Sequence, residues 1–232
     1  MFDPKYFLYV GPALLVAFAA QLWVKSAVAT WSRRPNQRGL TGYETAEAVL
    51  RAAGVQGVRI EPSHGFLSDH YDPRSSTLRL SPDVYRGRSV AALAIAAHEA
   101  GHAIQHAAKY APLELRSIAV PTASIGSWIS IPLLIAGMIL NSPALAFLGI
   151  LAFSAIVLFQ LITLPVEFDA SRRAKRVLID SGLAVSSEDQ RGVSAVLTAA
   201  AMTYVAAAVQ SLATLLYYLA RFGMIGGSSN RE

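Results

Sequence analysis

The chain has no cysteine among its 232 residues. This absence excludes a disulfide framework and a thiolate ligand, so any metal site must use nitrogen and oxygen donors. Charge is also scarce, because only 15% of the residues are Asp, Glu, Lys or Arg while 53% are hydrophobic. A composition this apolar is not that of an ordinary soluble domain.

Three long stretches lack Asp, Glu, Lys, Arg and His altogether. These stretches are residues 6–24, 117–166 and 192–220, and they are 19, 50 and 29 residues long. A helix needs about 20 apolar residues to cross a bilayer core. The longest stretch is interrupted by the turn signal Asn141-Ser142-Pro143, which predicts a helical hairpin. The sequence therefore predicts four membrane helices, at about 6–24, 118–140, 144–165 and 194–220.

The segments between these spans carry most of the basic residues. Residues 25–116 hold twelve Lys and Arg and residues 166–193 hold five, which leaves three for the other side. The positive-inside rule then places both basic segments in the cytoplasm. The net charge of +5 is explained by this orientation towards anionic lipid, so no nucleic-acid partner is expected. The first span is expected to be a retained anchor, since no basic region precedes it and no small-residue cleavage site follows.

An H-E-x-x-H pentad, residues 98–102, lies inside an alanine-rich run that predicts a helix. Residues four apart share a helix face, so His98 and His102 can bind one Zn²⁺ at about 2.0–2.1 Å. Zinc lowers the pKa of a coordinated water towards about 7, and Glu99 is placed to take its proton. The pattern indicates zinc peptidase chemistry. The alternative is a pair of core or capping histidines beside a surface glutamate.

Two histidines leave a catalytic zinc one protein ligand short. Glu167 is predicted to be the third ligand, because it follows the third span on the side of the pentad. Three alternatives stay open. Asp169 would point to a different helix face, and His106 lies about 12 Å from His98 along the helix axis. His70, in a predicted loop, is the last candidate.

His70 and Tyr71 are also predicted catalytic contacts, since either can stabilise the oxyanion of the substrate. A metzincin site is excluded by the residues that follow the pentad. Gln105 and Ala108 stand where that pattern needs a glycine and a third histidine.

Residues 41–116 predict the small folded domain that holds the pentad. A helix that ends at Gly54 is followed by a strand at 58–61, a loop at 65–73 and a strand at 77–80. Ser81-Pro82 starts a turn or a short helix, and Ser89 is placed to cap the helix of the pentad. The strand at 77–80 is expected to be an exposed edge that binds an extended peptide.

The predicted fold is a mainly α membrane protein, in which four transmembrane helices carry a small cytoplasmic α+β zincin-like domain. The expected domains are transmembrane helix 1 at 1–24, the zincin-like domain at 25–116, a transmembrane hairpin at 117–165, a cytoplasmic helix with the third ligand at 166–193, and transmembrane helix 4 with the C-terminal tail at 194–232.

Four sequence blocks resemble the YugP-type neutral zinc metallopeptidases of bacterial membranes: residues 67–73, 80–81, 96–105 and 164–174. The resemblance implies a membrane-embedded zinc protease with a gluzincin-like site. Together with the charge distribution, it predicts a multi-pass protein of the bacterial inner membrane whose active site faces the cytoplasm. HtpX-type membrane proteases are analogous, and there a glutamate that opens a later helix is the third ligand, here Glu167. Their pattern has an aspartate four residues further on, where this chain has Ser171. Asp169 is the expected substitute for orienting a histidine.

The predicted function is a zinc-dependent metalloendopeptidase that cleaves peptide bonds at the cytoplasmic membrane face, with membrane-protein quality control as its expected role. The expected cofactor is Zn²⁺, and the expected partners are a protein or peptide substrate and the lipid bilayer. The alanine runs at 199–201 and 206–208 allow a homo-oligomer or a membrane-protein partner. The alternative is a non-catalytic membrane scaffold or binding protein whose zinc is structural or absent. A zinc transporter is disfavoured, because the spans contain no Asp, Glu, His, Lys or Arg.

Overall fold

A computed structural model of the chain describes residues 4–65 and 68–225. Phe66 and Leu67 of the predicted loop lie outside the described residues. So do residues 1–3 of the predicted first domain and residues 226–232 of the predicted last domain. In chain order the described elements are α1 (Pro4–Ser32), α2 (Gly42–Ala52), β1 (Arg59–Pro62), β2 (His70–Asp72), β3 (Thr77–Leu80), α3 (Pro82–Tyr85), α4 (Val90–Ala107), α5 (Ala111–Ile139), α6 (Pro143–Asp180) and α7 (Ser187–Arg221).

Four helices, α1, α5, α6 and α7, are long and apolar enough to cross a membrane, as predicted. Their ends differ from the predicted spans, because loss of hydrophobicity marks the end of an apolar run and not the end of a helix. The helix α6 continues through Pro165 and stops only before Gly182, whose φ of +62° favours glycine. Glu167 therefore lies within the helix that contains the third predicted span, 144–165, and does not begin a later helix.

The chain divides into two compact units. Unit 1 comprises Met1–Ala19, Leu115–Leu164 and Tyr204–Glu232, and unit 2 comprises Ala20–Glu114 and Pro165–Thr203. In unit 1, α5 and α6 pack through glycines. A Cβ built on Gly126 would lie 2.6 Å from the carbonyl oxygen of Ala152, and one on Gly137 would lie 2.7 Å from the amide nitrogen of Ala146. Such close contacts are typical of membrane helices, where small residues let backbones approach.

Unit 2 contains a three-stranded sheet in the order β1-β3-β2, in which β3 pairs parallel with β1 and antiparallel with β2. The predicted strands at 58–61 and 77–80 are confirmed as β1 and β3. The prediction that Thr77–Leu80 forms an exposed edge is wrong, since β3 is the central strand. The strand β2 was predicted as loop because its three residues are too few to show an alternating pattern and turn-forming residues flank it.

The core of unit 2 forms around α4, against which α2, β3, α6 and α7 place fully buried side chains. Examples are Val49, Leu78, Leu80, Leu178 and Leu197. Burying each such side chain stabilises the fold by roughly 1.5–3 kcal/mol. Helix α2 is fixed at its start by a capping box between Thr41 and Glu44, and Gly54 with φ of +69° follows its end. The core therefore holds α4 rigidly from several sides.

Candidate metal and catalytic site

The helix α4 begins at the predicted cap. The Ser89 hydroxyl oxygen accepts the backbone N–H of Ala92 at 3.1 Å, which satisfies one of the first unpaired amides of the helix. Within the helix, the four-residue spacing of His98 and His102 places both imidazoles on one face. Their ring centroids are 4.8 Å apart, with planes 82° from parallel.

The helices α4 and α6 approach each other closely at Gly101, inside the pentad. A Cβ built at this position would lie 2.6 Å from the carbonyl oxygen of Ala170, so a larger residue would push α6 away. Glu167 lies three residues before Ala170 on α6, a little less than one helical turn. The missing side chain at Gly101 therefore allows Glu167 to come within reach of the two histidines.

Three side chains converge beside this crossing. Glu167 Oε2 lies 3.1 Å from Nε2 of His98 and 3.6 Å from Nε2 of His102. Within the described ranges, His98, His102 and Glu167 form the group able to hold a metal ion, with all three ligand atoms within 4.8 Å of one another. Ligands at about 2.0–2.1 Å from a tetrahedral zinc are about 3.4 Å apart. Two imidazole nitrogens and one carboxylate oxygen at these separations fit a catalytic zinc ion.

The orientation of His102 is fixed by a chain of buried hydrogen bonds. Gln105 donates its amide hydrogens to the carbonyl oxygen of Val166 at 2.8 Å and to Oδ2 of Asp169 at 2.9 Å. Its amide oxygen is thereby left to accept the Nδ1–H of His102 at 3.0 Å. With the proton on Nδ1, Nε2 of His102 keeps its lone pair free for a metal ion and lies 3.6 Å from Oε2 of Glu167. Arg173 completes the chain by donating to Asp169 at 2.5 Å.

His98 has a simpler surrounding than His102. Its Nδ1 lies 3.2 Å from the hydroxyl oxygen of Ser171, on the same helix as Glu167. Ser171 thus contacts the histidine at the position where the HtpX-type pattern has an aspartate. Asp169, the expected substitute, is not in the metal cluster and reaches His102 only through Gln105.

Glu99 is buried on α4 beside the cluster, with 8% of the residue exposed. Burial raises the pKa of its carboxyl to about 7; the carboxylates of Glu167 and Asp69 add to the increase, and His98 opposes it. A group with this pKa can both accept and release a proton at neutral pH, as a general base that later acts as an acid must.

The remaining predicted site residues lie near α4 but not within the cluster. His70 is exposed in β2, and its Nδ1 lies 2.8 Å from the carbonyl oxygen of Ser68. The Tyr71 hydroxyl lies 2.8 Å from Nδ1 of His106, and burial raises the pKa of that phenol. His106 therefore binds Tyr71, which attaches β2 to α4. The catalytic roles of His70 and Tyr71 stay predictions.

Gln105 was given no role at the site from the sequence, where it was noted as a departure from the metzincin pattern and as part of the block 96–105. In the structure it is fully buried and bonds to His102. A signal for it was present: Gln105 follows His102 by three residues on a helix, a spacing that places a polar side chain beside the ring.

The chain was compared with known proteins. Residues 6–223 match the family described as "Putative neutral zinc metallopeptidase". A curated relative from Bacillus subtilis (strain 168), named "Putative membrane protease YugP", is 46% identical over 210 residues, which cover 90% of this chain and 93% of that protein. No solved structure matches significantly. The family match spans the metal cluster and residues of all four apolar helices, and the relative covers most of the chain, so the chain belongs to the YugP-type family of neutral zinc metallopeptidases.

Proposed function

We propose that the protein is a zinc-dependent metalloendopeptidase of the bacterial inner membrane. The observation that carries the proposal is the convergence of His98, His102 and Glu167, in which the glutamate comes from 69 residues away in the chain. A family described as zinc metallopeptidases supports the same metal and the same reaction.

In this proposal, the residues at and near the metal cluster have separate roles in peptide hydrolysis. His98, His102 and Glu167 would hold the ion, which as a Lewis acid would polarise a peptide carbonyl and activate water. Glu99 accepts a proton during attack on the scissile carbonyl and later donates it to the leaving amine. Gln105 and Ser171 keep the two imidazoles oriented. His70 or Tyr71 contacts the oxyanion.

The edge strand for an extended substrate is β2 in this proposal, in place of β3. The strand β2 forms one edge of the sheet within the described residues, and the bond between Tyr71 and His106 holds it against α4. A peptide added along this edge would gain backbone hydrogen bonds next to the helix of the pentad.

The proposed orientation places residues 25–116 and 166–193 in the cytoplasm, because both segments are rich in Lys and Arg. Four membrane-crossing helices then carry the site at the inner face of the membrane. Substrates are proteins or peptides that reach this face, and turnover of membrane proteins is the proposed role.

The test compares wild-type protein with Glu99→Gln and His98→Ala, all purified in detergent. Wild type should contain about one zinc per chain and cleave an unfolded casein substrate. Glu99→Gln should keep the zinc and lose at least about 100-fold in kcat, since general acid–base catalysis contributes 10²–10⁴-fold. His98→Ala should lose both the zinc and the activity.

Cleavage by Glu99→Gln at the wild-type rate would contradict the role of Glu99. Absence of zinc from wild-type protein grown with sufficient metal would overturn the whole proposal.

A further inference from the structure

A cavity of about 810 Å³ lies between the second half of α1 and the start of α4, entirely within unit 2. The α1 wall consists of one helix face, repeated at spacings of three and four: Gln21, Val24, Lys25, Val28, Ala29 and Ser32. The opposite wall includes Val84, Ala91, Ala92 and Ile95. The volume lies within the range of about 300–1,000 Å³ that is typical of binding sites for organic ligands. None of the metal-cluster residues lines it.

The lining of this cavity combines apolar walls with positive charge. It contains the cations Lys25, Arg33 and Arg88 and a single carboxylate, Asp83, so that two positive charges are in excess. Arg88 is engaged by the protein, because it lies 3.7 Å from Glu44 and donates to the carbonyl oxygen of Gly39.

Lys25 and Arg33 differ from the cations around them. Across residues 4–65 and 68–225, neither has an acidic group within ion-pair distance, and both are exposed. The adjacent Arg34, which does not line the cavity, pairs with Glu188 at 3.6 Å. Of the three cations that line the cavity, Lys25 and Arg33 are thus the two without an acidic partner among the described residues.

The helix α1 brings this cavity close to lipid. It is a candidate membrane span, and its uninterrupted apolar run ends at Val24, so Lys25 is the first charged residue beyond that run. Lys and Arg at such a position extend to the level of the lipid headgroups. Arg and Lys are also the side chains that bind phosphate oxygens best.

We propose that the cavity is a binding site for one anionic phospholipid. The phosphate group binds Arg33 and also Lys25, whose long side chain extends towards it. An acyl chain runs from there along Ala29, Val28 and Val24 towards the apolar run of α1. This site does not depend on proteolysis, because its ligand makes no contact with the metal cluster. It would place a membrane lipid against the first turns of the helix that carries the pentad.

Native mass spectrometry of the detergent-purified chain tests the proposal, with phosphatidylglycerol and phosphatidylcholine of identical acyl chains as probes. Wild type should retain phosphatidylglycerol in preference to phosphatidylcholine. Each cation should contribute about fivefold, equivalent to about 1 kcal/mol. Lys25→Gln with Arg33→Gln should therefore lose roughly 25-fold in affinity for phosphatidylglycerol. Inorganic phosphate should not displace the lipid, because it lacks the acyl chain.

Two matched controls separate the charge from the cavity. Arg34→Gln removes a neighbouring cation that does not line the cavity, and it should leave lipid retention unchanged. Ala29→Trp fills the cavity from an exposed position on its wall and should abolish retention of the lipid. Thr30→Trp, at an exposed position on a neighbouring face of α1 that does not line the cavity, should not. Unchanged thermal unfolding and zinc content show that a variant is folded.

Three results would overturn the proposal. One is equal retention of the two lipids by wild type. Another is a loss in Arg34→Gln as large as in the double variant. The third uses a benzophenone amino acid at Ser32, an exposed lining residue that the filling control does not touch: labelling of an added apolar peptide in place of phosphatidylglycerol would assign the cavity to a polypeptide.

Discussion

The two helices that build the metal cluster contribute to it in different ways. On α4, His98 and His102 are neighbours because any helix places residues four apart on one face. On α6, Glu167 reaches them only because Gly101 lets the two backbones meet at Ala170. The first half of the site is a local property of the sequence, and the second half depends on tertiary packing. Mutations on α6 and at the crossing should therefore test the site more sharply than changes to the pentad itself.

The largest effect is expected from Glu167→Gln. The substitution keeps the shape of the side chain but removes the anionic ligand, leaving two imidazoles to hold the ion. Zinc affinity, measured by competition with a chromophoric chelator, should fall by more than about 100-fold, beyond the 10–100-fold typical of residues that only support a ligand. Glu188→Gln, at an exposed glutamate paired with Arg34, is the control and should bind zinc normally. Full zinc binding by Glu167→Gln would assign the third ligand elsewhere.

The second-largest effect is expected from Gly101→Ala, at the close approach of α4 and α6. In an exposed helix, replacing glycine by alanine stabilises by about 1 kcal/mol. At Gly101 the sign should reverse, because the added methyl group overlaps the carbonyl oxygen of Ala170, and overpacking costs typically 1–3 kcal/mol. Gly101→Ala should therefore lower the unfolding temperature and weaken zinc binding together, since α6 carries Glu167.

Gly11→Ala is the matched control for this change. Gly11 also lies within a helix, and a Cβ built there meets no atom within 4 Å. Its substitution should leave zinc binding unaltered. Equal zinc affinity in Gly101→Ala and wild type would show that the close approach of α4 and α6 is not what positions Glu167.

The predictability of the site follows the same division. The spacing of His98 and His102, the cap at Ser89 and the four apolar runs are written in short stretches of sequence, and each is found in the structure. The central position of β3 was not predictable, because it depends on pairing with the three-residue strand β2. Gln105 was missed for a related reason. Its role becomes visible only when its partners Val166 and Asp169, on another helix, are known.

Smaller losses of zinc affinity are expected when the hydrogen-bond partners of the two histidines are removed, and the two losses should differ in size. Gln105→Ala removes the acceptor of His102 Nδ1–H and leaves the carbonyl oxygen of Val166 without this donor. Zinc affinity should fall by about 10–100-fold. Ser171→Ala removes one hydroxyl at 3.2 Å from His98 and should reduce affinity by only a few-fold. A larger loss in Ser171→Ala than in Gln105→Ala would reverse this ranking and make His98 the ligand that depends more on its orientation.

The smallest effect lies outside the cluster, in the local cap of α2. The Thr41 hydroxyl accepts the Glu44 amide, and the Glu44 carboxylate accepts the Thr41 amide at 2.7 Å, so Thr41→Ala should cost about 1 kcal/mol of stability.

Hydrogen bonds from the backbone and hydroxyl of Thr41 lower the pKa of Glu44. The charge-dependent part of the capping energy is therefore present above the unfolded pKa of Glu44 and is lost as the pH falls through the folded value. Thermal unfolding at pH 7 and at pH 3 should show a smaller difference between wild type and Thr41→Ala at the lower pH. Zinc affinity at pH 7 should be the same in both, because this cap, like the spacing in α4, is local and does not position α6.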